Sequence, residues 1–394
     1  MRTPVLARLV PDPEKFLAAP PTEAAVWHMD PLTDVLSLSA VDVLAAGGCL
    51  RAATLSVVVG GQRQPAASYT WAGRPTQPGF SDAVRPAELA AALDRGATLV
   101  FESLQRTHRP VGDLCRRLAH ETGVPVGANA YLTPAHAQGF AHHYDTHAVL
   151  IVQTEGSKTW QLSPPIFPDP LEHQPYRAAA APAAWPAPFL EAVLRPGDVL
   201  WVPRGWIHNG FATDEPSLHL SLSLPPLTPY WVATELVRIL DRDPRFRVDL
   251  PWGFGRDRSV RREAVASVVA LLASALSDVD PMAAGDALAD RWRRYFLEPA
   301  RHPVSAALAP VTPDTPVRAV PEAVCGLDVL PDGRVRLHLG DTALLLDQPA
   351  GDLVVSRLAA PDPWTAASLR PALDEAASLD LVRGLLRAGV LARG

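Results

Sequence analysis

The stretch SLHLSLSL, residues 217–224, alternates without a break. A strand turns successive side chains to opposite faces, so His219, Ser221 and Ser223 share one face and Leu218, Leu220, Leu222 and Leu224 the other. Such a strand must lie with leucines on a core and polar groups lining something else. Its neighbours agree. PVGANAYLT, HAVLIVQTEG, KTWQLSP, DVLWVPRG and WIHNGF, all between residues 125 and 225, are short runs rich in β-branched and aromatic residues, with Gly and Pro between them. LRPGDVLWVP reads as a tight turn into a strand. Six or more short strands of this kind predict a small antiparallel barrel or sandwich. The proline-dense run from Pro164 to Pro188 falls between two of them and reads as a surface insertion.

The flanks are of other types. In 1–95, SLSAVDVLAAGG predicts a helix capped by Ser39 and stopped at Gly47, ATLSVVVGG a strand, and RPAELAAALDRG a helix ended by Gly96. ATLVFES then predicts a strand and VGDLCRRLAHETG a helix closed by Gly123. From 228 to 300 three helical segments follow. The second has a broad apolar face (Val265, Val268, Val269, Leu271, Leu272, Leu276) that needs a sister helix or a second subunit to cover it. HPVSAALAPVTPDTPV reads as a linker. Beyond it, GLDVLPDGRVRLHLGDTALLLD predicts strands joined at Asp332–Gly333, and TAASLRPALDEA and SLDLVRGLLRAGVLA predict helices. A small sheet with a helical pair is winged-helix-like. Its last helix carries few arginines, which favours a protein-contact role over nucleic-acid binding.

Composition excludes several classes. Of 394 residues 48% are hydrophobic and 20% charged, the balance of a folded chain. The formal charge of −6 and the lack of a basic block argue against a nucleic-acid surface. The N-terminus breaks any apolar stretch with prolines and charges, and no long apolar run occurs, so neither a signal peptide nor a membrane span is expected. Cys49, Cys115 and Cys325 lie far apart with no CxxC, which fits a reducing, cytoplasmic setting. Thirty-four of the 36 basic residues are Arg, leaving Lys15 and Lys158 as the only lysines.

The chemistry concentrates in GFAHHYDTHAVLIVQ. His143 and Asp145, two apart in a strand context, leave one face together. A His and a carboxylate so placed are two parts of the facial triad that holds non-haem Fe(II) with positions open. His208, in WVPRGWIHNGF, is the best candidate for the third ligand. His219 is a rival unless it is a packed core histidine, and His147 shares the face and lines the pocket or replaces a ligand.

Two stretches, ANAYLTPAHAQGFAHHYDTHAVLIVQTEGSKTWQLSPP and LRPGDVLWVPRGWIHNGFATDEPSLHLSLSL, resemble the JmjC-type oxygenases of the cupin-4 branch, the ribosomal oxygenase family. The resemblance continues more weakly across nearly the whole chain. It implies an α+β protein with three parts. A double-stranded β-helix (cupin or jelly-roll) catalytic domain spans 1–227, a helical dimerisation domain 228–304, and a winged-helix-like C-terminal domain 317–394. It implies Fe(II) on His143, Asp145 and His208, and 2-oxoglutarate as cosubstrate. Lys158 occupies the place of the basic anchor for the C5 carboxylate of 2-oxoglutarate, unless it is an exposed strand lysine beside Glu155, in which case Arg204 is the next to consider. Asn129, Tyr131 and Ser221 match positions lining the cosubstrate pocket; Tyr131 as a core aromatic and Ser221 as a solvent-facing residue are the alternatives. His142 stands where relatives usually have Pro, and AHAQGF where they tend to have PGSQGF. The activity implied is hydroxylation of an Arg or His side chain in a ribosomal protein. A biosynthetic peptide as substrate, or a non-catalytic cupin module, are the competing readings.

Overall fold

A computed structural model describes residues 4–72, 79–295, 310–324, 326–340, 342–360, 362–370 and 372–394. Cys325, the end of the third helical segment with its expected boundary at 304, and the first part of the expected linker lie outside the described residues. Nine strands make one sheet: β1 (Ala25–His28), β2 (Leu55–Val59), β3 (Gln62–Arg63), β4 (Thr98–Phe101), β5 (Gly127–Thr133), β6 (Ala148–Ser163), β7 (Leu190–Leu194), β8 (Asp198–Val202) and β9 (Ile207–Leu224). Their order is β1-β8-β6-β9-β5-β4-β2-β3, with β7 also on β6, and every pairing is antiparallel. The chain is thus a mixed α+β protein built on a large antiparallel sheet.

The alternation in 217–224 does what its pattern requires. Leu218, Leu220 and Leu222 are buried in the main core, while His219, Ser221 and Ser223 line a cavity. The strands are longer than expected. HAVLIVQTEG and KTWQLSP form the single 16-residue β6, and WIHNGF and SLHLSLSL belong to the single 18-residue β9. The two strands pair along both halves, Ile151 opposite Ser221 and Trp160 opposite Gly210, across register shifts at Gln153/Glu155 and Gly156/Lys158. Gly156 has a left-handed φ of 61°, and a Cβ there would lie 1.7 Å from the Pro216 carbonyl oxygen, so only glycine fits. Buried Gln153 braces the bulge: its Nε2 donates to the carbonyls of Glu155 and Gly156 and to Ser217 Oγ. A bulge reads in sequence like the end of a strand, because glycine and the exposed Asp214–Glu215–Pro216 run interrupt the pattern.

Among the described residues the α-helices are α1 (Pro13–Ala18), α2 (Leu38–Ala46), α3 (Pro86–Asp94), α4 (Arg109–Thr122), α5 (Pro229–Ile239), α6 (Arg258–Ser277), α7 (Pro281–Arg293), α8 (Gln348–Leu358) and α9 (Glu375–Arg387). Helix α2 is capped by Ser37, whose Oγ accepts from Ala40 N–H, and not by Ser39, which lies inside the first turn. Gly123 ends α4 in the left-handed conformation, φ 69°. Helices α5 and α7 are tied by the ion pair of buried Glu235 with Arg291 and by Trp231 against Trp292 at 5.5 Å. Trp292 Nε1 donates to the Gly123 carbonyl, anchoring α7 to the end of α4. On α6, Val265, Val269 and Leu276 remain exposed. No single helix among the described residues is long and apolar enough to cross a membrane.

Beyond residue 310 a second core forms around Val317, Val335, Leu337, Val354, Trp364, Val382 and Leu385. Strands β10 (Val317–Ala319) and β14 (Leu391–Arg393) pair, and β11 (Gly326–Val329), β12 (Val335–Leu339) and β13 (Thr342–Leu346) form a three-stranded sheet. The TAASLRPALDEA segment is not an α-helix. A 3-10 turn, Ala366–Leu369, stands there, since Pro371 has no N–H to continue a helix. Helix α8 is an element the sequence reading missed. Pro349 and Gly351 look like breakers, but Pro sits in the first turn, where its N–H is not needed. A Cβ on Gly351 would meet Val335 at 2.6 Å, so glycine is what lets α8 pack on β12.

Candidate metal and dicarboxylate site

His143 and His208 are brought together by backbone pairing. His143 N–H donates to the His208 carbonyl at 3.2 Å and His208 N–H to the His143 carbonyl at 2.9 Å. The expected strand at His143–Asp145 is an irregular segment ahead of β6, seated on the start of β9 by this single bridge, and the two imidazole centroids lie 4.3 Å apart. Asp145 leaves the same face as His143, and its Oδ2 is 3.6 Å from His208 Nε2. The Gly205 N–H holds the Asp145 carbonyl at 3.0 Å.

The tautomers follow from the outer hydrogen bonds. His143 Nδ1–H donates to the Ala141 carbonyl at 2.8 Å, and His208 Nδ1–H donates to the Trp206 carbonyl at 3.0 Å. Each ring therefore offers the lone pair of Nε2 to the shared centre, the arrangement metal-binding histidines use. One ligand atom from each of His143, Asp145 and His208 falls within 4.8 Å of the others. Burial pushes His208 well below the ordinary histidine value, with His143 adding to it, so the ring is neutral and ready to ligate. Burial works to raise the Asp145 carboxyl, but the neighbouring His208, His143 and His147 outweigh it and hold it below the ordinary value.

The triad opens on a cavity of about 520 Å³. Lys158 lies deeper in it, 2% exposed, with Nζ donating to Thr133 Oγ1 at 3.1 Å. Among the described residues no carboxylate is within ion-pairing distance of it. Glu155, the alternative partner, instead accepts from Leu38 N–H at the start of α2. Burial lowers the Lys158 ammonium to about 7. Arg204 does not line the cavity; it pairs with Asp169 and the Pro170 carbonyl. Gly139 and Gly210 leave the space beside the lysine open, and a Cβ on Gly210 would crowd Lys158 Cε at 3.1 Å.

Tyr131, Asn129 and Ser221 all line the same cavity. Tyr131 and Asn129 sit on β5 directly opposite His219 and Ser221 on β9. Asn129 Oδ1 accepts from Ser103 N–H, which fixes its orientation. Burial raises the Tyr131 phenol, leaving it a neutral donor. His147 and His219 line the cavity but stand outside the three-ligand cluster. Three residues went unremarked in the sequence. Trp160 is one: it follows Lys158 by two in a strand, a spacing that announces a shared face, and its indole lies under the ammonium at 5.5 Å. Thr133 is another, by the same argument from Tyr131. The third, Tyr176, comes from the proline-rich insertion, which is largely exposed as expected yet contributes Pro175, Tyr176 and Ala178 to the cavity wall. His142, the departure beside the triad, stacks on Trp185 of that insertion at 5.2 Å.

A second cluster, Asp290, Asp328 and His338, meets where α7 touches β11 and β12. Arg293 lies within it, paired with both aspartates, so it is an ion-pair network joining the helices to the C-terminal unit.

Residues 105–230 match the family model of the JmjC domain. The chain is 40% identical over 139 residues to a "Bifunctional lysine-specific demethylase and histidyl-hydroxylase NO66" of Drosophila persimilis, covering 35% of this chain and 20% of that one. It is 30% identical over 236 residues to "Ribosomal oxygenase 1" of Rattus norvegicus, covering 56% of this chain and 39% of that one. The match thus spans well under half the length of these relatives. Among solved structures, the Escherichia coli protein YcfD shares the fold across 98% of this chain and 99% of its own, with a TM-score of 0.54 at 17% identity. A YcfD structure in complex with cobalt and 2-oxoglutarate aligns over the same extent with a TM-score of 0.51 at 16% identity.

Proposed function

We propose, since residues 105–230 match the family model of the JmjC domain, that this chain is an Fe(II)- and 2-oxoglutarate-dependent oxygenase that hydroxylates a protein side chain, an Arg or His of a ribosomal protein. One observation carries the reading. Two imidazoles and a carboxylate converge with their ligand atoms on one centre, and a buried lysine, without an acidic partner among the described residues, lies in the same cavity. The donor set fits a hard-to-borderline divalent ion with open positions. The lysine, with open space beside Gly139 and Gly210, fits a carboxylate that must be neutralised away from water. The names of the relatives, a histidyl-hydroxylase and a ribosomal oxygenase, support this substrate class.

His143, Asp145 and His208 would hold the iron, which when bound activates oxygen at the expense of the cosubstrate. The chain's own residues do the rest. The carbonyls of Ala141 and Trp206 fix the imidazole tautomers. Lys158, Tyr131, Asn129 and Ser221 bind and orient the dicarboxylate. The apolar walls around Phe140 and Trp160 exclude water from the site. Replacing His208 by Ala should abolish succinate formation from 2-oxoglutarate at ordinary iron concentrations; full turnover in that variant would refute the assignment. The substrate is tested by intact-mass measurement of ribosomal proteins incubated with the enzyme, where one added oxygen atom is expected.

The reading extends to organisation. Residues 1–227 are the catalytic domain and 228–304 a dimerisation domain, the latter supported by the exposed valines of α6. Residues 317–394 are a winged-helix-like contact domain, supported by a three-stranded sheet with α8 and α9 around its own core. The protein acts in the cytoplasm, without direct nucleic-acid binding.

A further inference from the structure

His219 is the buried histidine that the metal reading leaves over. It stands outside the three-ligand cluster, so it is no third ligand. Nor is it only packing. Its ring lies flat on Tyr131, 4.8 Å between centroids and 4° between planes, and meets Trp160 edge-on at 5.3 Å. These contacts immobilise it in the cavity wall. Yet its Nδ1 is buried with no hydrogen-bond partner among the described residues. A polar atom left so is costly unless a ligand completes it. The neighbouring ligand-seeking group is Lys158, whose ammonium lies over the same Trp160 ring. Burial and the nearness of Lys158 hold the His219 ring far below its ordinary value, so it is neutral, with one N–H to give and no charge to set against the lysine.

We infer that His219 is a cosubstrate-binding residue, donating its ring N–H to the distal carboxylate that Lys158 neutralises. This rests on the 2-oxoglutarate reading above and adds a residue to it. A neutral donor beside a single ammonium gives the carboxylate a second, directional bond. The stack on Tyr131 fixes the direction.

The test measures binding, not turnover. The full chain loaded with manganese is titrated calorimetrically with 2-oxoglutarate and with 2-oxobutyrate, which keeps the keto-acid end and lacks the distal carboxylate. His219→Phe preserves the stack and removes the donor. It should weaken 2-oxoglutarate about tenfold to a hundredfold, the range for one hydrogen bond to a charged group, and leave 2-oxobutyrate unchanged. His219→Gln should recover part of the loss. In parallel, the ring N–H resonance of His219 in parent protein labelled with 15N-histidine should shift on adding 2-oxoglutarate and not 2-oxobutyrate. A 2-oxoglutarate affinity within about twofold of the parent in His219→Phe, equal losses for both keto acids, or an unmoved resonance overturns the inference. A parent protein that binds the two keto acids equally well refutes the underlying cosubstrate reading instead.

Discussion

Lys158 concentrates the electrostatics of the site at a single residue. It was legible in the sequence as one of two lysines among 36 basic residues, but its burial was not, because a strand lysine next to glutamate has the same local pattern when exposed. The fold decides by spending Glu155 on the N-terminus of α2 and turning Lys158 inward. Lys158→Ala should weaken 2-oxoglutarate binding steeply while metal binding survives. Truncating one partner of a buried, hydrogen-bonded charge pair costs about 2–5 kcal/mol, and calorimetry on metal-loaded protein checks it. A pH dependence follows from the lowered ammonium. In the empty protein Lys158 begins to lose its proton near pH 7. Binding a dianion requires the ammonium, so above that pH binding takes up a proton and affinity falls by about tenfold per pH unit. Titrations in two buffers of different ionisation enthalpy will show the uptake. The stability effect has the opposite sign to that of a paired lysine. Between about pH 7 and the ordinary value of 10.5 the unfolded chain holds the proton and the folded one does not, so this group's contribution to stability rises with pH across that window.

At the scale of elements, β6 and β9 decide the geometry. Each bends at the Gly156 bulge, so one half of β6 pairs with β8 and the other with β7, while β9 follows both halves. The bend brings His208 and His219, on one strand, to different depths of the same cavity. Gly156→Ala would drive a methyl into the Pro216 carbonyl and demand a left-handed conformation of a non-glycine residue. It should lower stability by more than about 1 kcal/mol, read as a reduced denaturant midpoint with an unchanged slope. The proposed metal ligands depend on a lighter connection, the His143–His208 backbone bridge. Strand alternation explained which residues share a face. It gave no notice of the bulges, since a glycine followed by exposed polar residues also ends strands.

For the whole molecule, the open question is what covers α6. Val265 and Val269 are 49% and 58% exposed, and Trp252, just upstream, is 99% exposed. We propose that a second copy covers them, and light scattering should show a dimer. Val265→Glu with Val269→Glu should give a monomer that still binds metal and 2-oxoglutarate; a parent that is monomeric at all concentrations would refute the proposal.

The sequence by itself determined the alternating faces of β9, the shared face of His143 and Asp145, the helix ends at Gly47, Gly96 and Gly123, and the arginine-dominated basic composition that makes either of its two lysines notable. These are properties of period, spacing and residue chemistry, which act within a few residues of one another. Tertiary structure alone decided that His208 and not His219 joins the triad, that Lys158 is buried, and that a proline-rich insertion lends Tyr176 to the cavity. Each depends on which distant segments pair, and pairing is set by hydrogen-bond register across the sheet, a quantity that no local pattern carries.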